Sequence, residues 1–172
     1  MREFSYHVES SACAAELSAG LNAILGGRPP VFVCIGSDAV IGDSLSPLVG
    51  SLLKEFYHSP CYCYGELSYP VTARELPLVA KSVRALHPES VIVALDASVG
   101  DESEIGVIRL REGGLYPGKG VGKEIEPIGD VSLLGVVSAR GTNAFRHLEL
   151  TRLRLIYRMA TVISEAVADA CG

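Results

Sequence analysis

Two short runs decide what this chain can fold into: Val31-Phe32-Val33-Cys34-Ile35 and Val91-Ile92-Val93-Ala94-Leu95. Each is almost continuously apolar and rich in β-branched residues, without the polar alternation of a half-exposed strand. That pattern suits strands covered on both faces, as in a parallel sheet. Each run then hands over an aspartate. The first breaks at Gly36 and passes Ser37 and Asp38 to Gly42, Asp43 and Ser44, after which Leu48, Leu52, Leu53 and Phe56 recur at helical spacing. The second leads directly into Asp96. Asp43 therefore lies in a loop between a buried strand and a helix N-terminus, at the carboxyl edge of the sheet where open α/β folds bind ligands. If the two strands are adjacent or next but one, Asp43 and Asp96 share one cleft. Taken alone, Asp96 reads better as a turn or helix-capping carboxylate, and its pairing with Asp43 makes the functional reading equally good.

The remaining segments fit around this pair. Residues 1 to 10 are polar and carry no clear pattern. A helix capped by Ser10 or Ser11 carries Leu17, Leu21, Ile24 and Leu25 and ends at Gly26-Gly27, with Arg28-Pro29-Pro30 as a linker. Cys61 to Leu67 reads as a second strand, and a helix starting at Pro77 runs to about Leu86, closed by His87 and Pro88. Ile105 to Leu110 reads as a strand near an edge, and Val131 to Ser138 as another buried one. A single final helix is expected from about Ala144 to Ala170, its arginines and His147 on solvated faces. Residues 112 to 130 form a long glycine-rich loop, of the length that usually serves a function.

With 172 residues and 48% hydrophobic content the chain can bury one sizeable core, so one domain is expected over 1–172. The formal charge of −5 gives no general attraction to nucleic acid or to an anionic membrane. Neither a signal-peptide core nor an apolar run of membrane-spanning length is present, and a soluble, cytoplasmic chain is expected. Five cysteines, at 13, 34, 61, 63 and 171, lack zinc-site spacing and read as reduced thiols.

Nucleotide motifs fail on inspection. Gly113 to Lys119 has the GxxxxGK spacing but is followed by Gly120, not the Ser or Thr that holds magnesium, while Gly118, Gly120 and Gly122 are spaced GxGxG and precede no helix. What remains is a loop whose Gly118, Lys119, Gly120, Gly122 and Lys123 can offer amides and positive charge to a substrate carbonyl or carboxylate. Serine hydrolysis through Ser44 or Ser98 lacks a GxSxG elbow.

Three stretches carry a resemblance: GDSLSPLVG at 42–50, ALDASVG at 94–100 and PGKGVGKEIEPIGD at 117–130. They resemble the YyaC-type sporulation proteins of spore-forming Firmicutes, often labelled spore proteases. More distantly they are similar to the germination protease that degrades small acid-soluble spore proteins, and the first two to the hydrogenase maturation endopeptidases. The resemblance implies a three-layer αβα sandwich of the phosphorylase/hydrolase-like type with a mainly parallel sheet. It also implies carboxylates at Asp43 and Asp96 as a catalytic or metal-binding pair, with the glycine-rich loop beside them. Ser46 stands where that family usually has glycine, and the metal-binding histidine of the maturation endopeptidases has no counterpart.

Two carboxylates around one water can hydrolyse an amide, because like charges at close range do not both ionise readily. Asp43 is the expected base, Asp96 the proton-carrying acid, and Asp38 a third candidate. The expected substrate is a spore protein or peptide, in the forespore or mother cell, with no cofactor required. Alternatives are a non-catalytic cleft that binds a protein or peptide, or a hard divalent metal held by Asp43 and Asp96. Assembly into a homo-oligomer is compatible with the sequence.

Overall fold

The two apolar runs become β2 (Pro30–Cys34) and β4 (Val91–Gly100), adjacent and parallel, with Val31 opposite Ile92 and Cys34 opposite Leu95. This computed structural model describes residues 1–116, 126–141 and 144–172. The described residues form α1 (Cys13–Leu25), α2 (Leu45–Glu55), β3 (Tyr62–Tyr64), α3 (Leu76–Leu86), β5 (Val107–Glu112), β6 (Val131–Ala139), α4 (Ala144–Glu149) and α5 (Leu153–Cys171). A further strand, β1 (Glu3–His7), precedes them. The strands make one six-stranded sheet in the order β1-β5-β6-β4-β2-β3. β3, β2, β4 and β6 run parallel, β5 runs antiparallel to β6, and β1 pairs antiparallel with β5 and so runs in the direction of the other four.

From β2 the chain steps outward to β3, then returns past β2 to β4, so its direction of travel across the sheet reverses between β2 and β4. Right-handed crossovers then place the two connecting helices on opposite faces. Strand alternation prepares both faces. Phe32 and Cys34 point with Val93 and Leu95 toward α1, α2 and α5, and Leu17, Leu21, Leu45, Leu53, Ile156 and Met159 complete that core. Val31, Val33, Ile92 and Ala94 point the other way, toward Leu76 and Val83 of α3 and toward Leu115 and Ile128, the shoulders of the long loop. The result is the expected three-layer α/β sandwich with a mainly parallel sheet. Among the described residues no helix is long and apolar enough to cross a membrane.

Four local expectations are corrected. Residues 3–7 form the edge strand β1, with Phe4 and Tyr6 turned inward between exposed Glu3, Ser5 and His7. Two apolar residues are too few to announce a strand, and the pairing of Phe4 with Leu110 and Tyr6 with Ile108 supplies what the sequence lacks. β5 is consequently an inner strand, not an edge. The last helix is two helices, because the apolar stripe slips between Leu148 and Leu153. Thr151, buried at the break, donates its hydroxyl to the His147 carbonyl at 3.0 Å and ends α4.

The cysteines are not all reduced: Cys61 and Cys171 form a disulfide, with their Cα atoms 6.0 Å apart. The last turn of α5 and the entry to β3 are 110 residues apart in sequence, so only the packing of α5 across α2 brings them into bonding range. Cys13, Cys34 and Cys63 remain thiols. His87 ends α3 as expected, and its Nε2 lies 2.8 Å from the Tyr64 hydroxyl, tying that helix to β3.

Candidate active site

The backbone between β2 and α2 decides where Asp43 sits. Ile35 still donates its N–H to Leu95 (2.8 Å), after which Gly36 turns with φ 147° and donates to Val71 (3.0 Å). A Cβ on Gly36 would overlap the Asp43 carbonyl oxygen. Without one, Ser37 donates its N–H to that oxygen at 3.1 Å and closes the loop. Asp43 then lies in a single 3-10 turn, Gly42–Ser44, that runs into α2. Ser44 does not cap α2; its hydroxyl donates to the Ile41 carbonyl at 2.7 Å. Gly42 rests on α4, where an added Cβ would come within 2.8 to 2.9 Å of the Leu148 side chain and backbone. Sequence reading marked Gly36 as a strand end and Gly42 as a turn residue but missed the part that they and Leu148 play in holding Asp43. The two glycines were visible, but what they pack against was not.

Asp96 is the first residue of β4 beyond the reach of β2, whose last partner is Leu95, while β6 continues alongside with Leu134 opposite. By alternation it follows Ile92 and Ala94 on the α3 face of the sheet. Both acids thus meet where β2 and β4 part, at the reversal of strand order, which is the usual ligand position in open α/β sheets.

Their electrostatics is unusual for carboxylates. Burial pushes the Asp96 carboxyl well above the usual range, and the neighbouring Asp43 charge pushes the same way, against the Ala97 N–H, which donates to Asp96 Oδ1 at 2.8 Å. Burial also raises Asp43, opposed by the Ser37 N–H. Among the described residues neither acid has an ion-pair partner. A buried pair of like-charged groups without a cation is a proton-sharing arrangement, with Asp96 the stronger holder of the proton.

The other expected members do not all join. Asp38 is exposed on the 37–41 connection and makes no hydrogen bond or ion pair among the described residues. Gly118, Lys119, Gly120, Gly122 and Lys123 lie outside the described residues. The shoulders of their loop pair through Leu115 and Ile128, and Asp130 returns the chain to the amino-terminal end of β4. No cluster of three or more His, Cys, Asp or Glu side chains that could hold a metal occurs among the described residues. Asp43 and Asp96 alone supply two hard oxygen donors, a set that suits a water-rich magnesium-like shell and not zinc. Two concavities among the described residues, of about 540 and 290 Å³, border Cys61 and Tyr62, and neither is lined by Asp43 or Asp96.

The solved structure of the [NiFe] hydrogenase maturation protease HycI from Thermococcus kodakarensis KOD1 superposes with a TM-score of 0.60 over 88% of this chain and 98% of that one, at 19% identity, which establishes a shared fold. The Bacillus subtilis (strain 168) protein described as "Uncharacterized protein YyaC" is 34% identical over 171 residues, covering 98% of this chain and 83% of its own. Residues 5–166 match the family described as "Protein of unknown function (DUF1256)". By that match and by its identity to YyaC, this chain is a member of the DUF1256 family.

Proposed function

We propose that the chain is a peptidase that hydrolyses a peptide bond with Asp43 and Asp96. The observation that carries this reading is the meeting of two half-buried carboxyls at the β2/β4 reversal, where burial and the charge of Asp43 both favour the protonated form of Asp96. Asp43, ahead of the α2 N-terminus, is the anion and takes a proton from a water molecule. Asp96 gives its proton to the substrate carbonyl oxygen as that water attacks the carbonyl carbon. When the tetrahedral intermediate collapses, the leaving amine takes the proton held by Asp43, and the carbonyl returns its proton to Asp96. The shared fold with a hydrogenase maturation protease supports peptide chemistry, and the resemblance to YyaC-type sporulation proteins points to a spore protein or peptide as substrate, in the forespore or mother cell.

The test is to incubate a protein extract of dormant spores with the wild type and with Asp43→Asn and Asp96→Asn, and to map new N-termini by mass spectrometry. Termini that appear with wild type and vanish in both variants are expected. Termini that persist in both variants would remove the dyad. Their absence even with wild type, together with retained binding of a spore protein, would leave a non-catalytic cleft. Cleavage lost in EDTA and restored by Mg²⁺ would replace the shared proton by a cation on the same two carboxylates.

A further inference from the structure

Four of the five cysteines gather on the α1/α2/α5 face of the sheet, opposite the face that carries Asp96. Cys61 and Cys171 are bonded, and the Sγ atoms of Cys34 and Cys63 lie 3.5 Å apart. One residue separates Cys61 from Cys63; both pack on the same side against the α1/α2/α5 core, and both line the 290 Å³ cavity. A disulfide and a dithiol therefore share one face of the sheet, with Cys61 and Cys63 on the wall of the same cavity. Structural disulfides have no need of a neighbouring thiol pair, and buried free cysteines are usually isolated hydrophobes.

We infer that Cys34, Cys61, Cys63 and Cys171 form a thiol–disulfide exchange site with two isomeric states. In the first, Cys61–Cys171 is oxidised and Cys34 and Cys63 are thiols. The Cys63 thiolate attacks Cys61 Sγ, forming a Cys61–Cys63 bond and releasing the Cys171 thiolate, which takes up a proton. The Cys34 thiolate then attacks Cys63 Sγ, forming Cys34–Cys63 and releasing the Cys61 thiolate, which is protonated in turn. Two electrons and two protons pass from the Cys34/Cys63 pair to the Cys61/Cys171 pair, and no external oxidant or reductant is consumed. The free-thiol count stays at three in both states, Cys13 being a spectator.

Cys63 is the entry point, because it is half-buried at the cavity wall while Cys34 is fully enclosed. The bond to Cys63 and burial push the Cys34 thiol well up, so Cys34 waits as the resolving partner. The charged and titratable groups on that cavity wall are Lys54, His58 and Glu66, with Lys54 paired to Glu66 at 2.9 Å. The second state unfastens the last turn of α5 from the entry to β3, so the exchange would control the tether of the C-terminal helix.

Cys61 and Cys63 share one tryptic peptide, so the isomers are distinguished by which peptide is joined to it, the one with Cys171 or the one with Cys34. The full chain, oxidised with glutathione disulfide, is held at about pH 7 and about pH 8.5, acid-quenched, alkylated and digested without reduction. Both joined pairs are expected, with three alkylated cysteines throughout and a Cys34-linked share that grows faster at the higher pH. Cys34→Ala should leave only the Cys171 link, and folded Cys171→Ser should show the Cys34 link. Recovery of the Cys171 link alone at both pH values in wild type would overturn the proposal. So would a chain carrying both disulfides with one alkylated cysteine, since the pairs would then oxidise independently.

Discussion

Asp96 lies within β4 where β2 ends, Asp130 lies against the amino-terminal end of the same strand, and the fold treats them oppositely. Asp130 is fully partnered: its Oδ2 accepts the Ile92 N–H at 2.9 Å, its Oδ1 accepts from Arg84 at 2.8 Å, and its own N–H donates to Ile92 at 2.7 Å. Among the described residues Asp96 has only the amide of the next residue as a hydrogen-bond partner, and it faces another acid. The first acid closes the end of a loop onto a strand. The second has no cation beside it among the described residues, an arrangement that costs stability and is common where chemistry needs a retained proton. A carboxylate beside a strand therefore says little until its partners are known.

The comparison breaks first on activity. Asp96→Asn or Asp43→Asn should lower peptide cleavage by about 100- to 10,000-fold, the usual worth of a positioned acid or base, whereas Asp130→Asn should leave the rate of the folded enzyme unchanged. Initial rates on a cleaved spore protein measure this, and equal losses at all three positions would erase the distinction.

Stability should reverse the ranking. Asp130→Asn weakens an amide bond and an ion pair that is partly exposed, and about 1–2 kcal/mol should be lost in urea unfolding. For Asp96, whose folded-state pKa is raised, the favourable contribution is full below the ordinary carboxylate range and is lost as pH rises through the raised folded value. Wild type and Asp96→Asn should therefore be closest in acid, and the variant should gain relative stability toward neutral pH. Parallel pH–stability curves would mean that Asp96 ionises normally.

Smaller effects sharpen the picture. Gly42→Ala should cost about 1–3 kcal/mol by pressing the Asp43 turn off α4, and should change the carboxyl titration of Asp43 in NMR while leaving that of Asp130 in place. Arg84→Gln should cost only about 0.5 kcal/mol, since its ion pair is half-exposed. A larger loss would make Arg84 more than a surface partner of Asp130.

Much of the site's placement was legible because it depends on local pattern. Continuous β-branched runs specify buried strands, and an aspartate just past such a run lands near the carboxyl edge whatever the rest of the chain does. β1 was not legible because Phe4 and Tyr6 become a strand only against β5. The break between α4 and α5 was hidden by helical spacing on either side of it. Asp130 gave no sign of its clamp, since Arg84 and Ile92 lie 46 and 38 residues away.

By itself the sequence determined the α/β class, the two buried parallel strands and the acids that follow their apolar runs, because periodicity and polarity act over a few residues. Only the tertiary structure decided that β2 and β4 are neighbours across the reversal of strand order, that Asp43 raises the proton affinity of Asp96, and that Cys61 finds Cys171. Those outcomes depend on distance through space between residues far apart in the chain, which packing sets and local pattern does not encode.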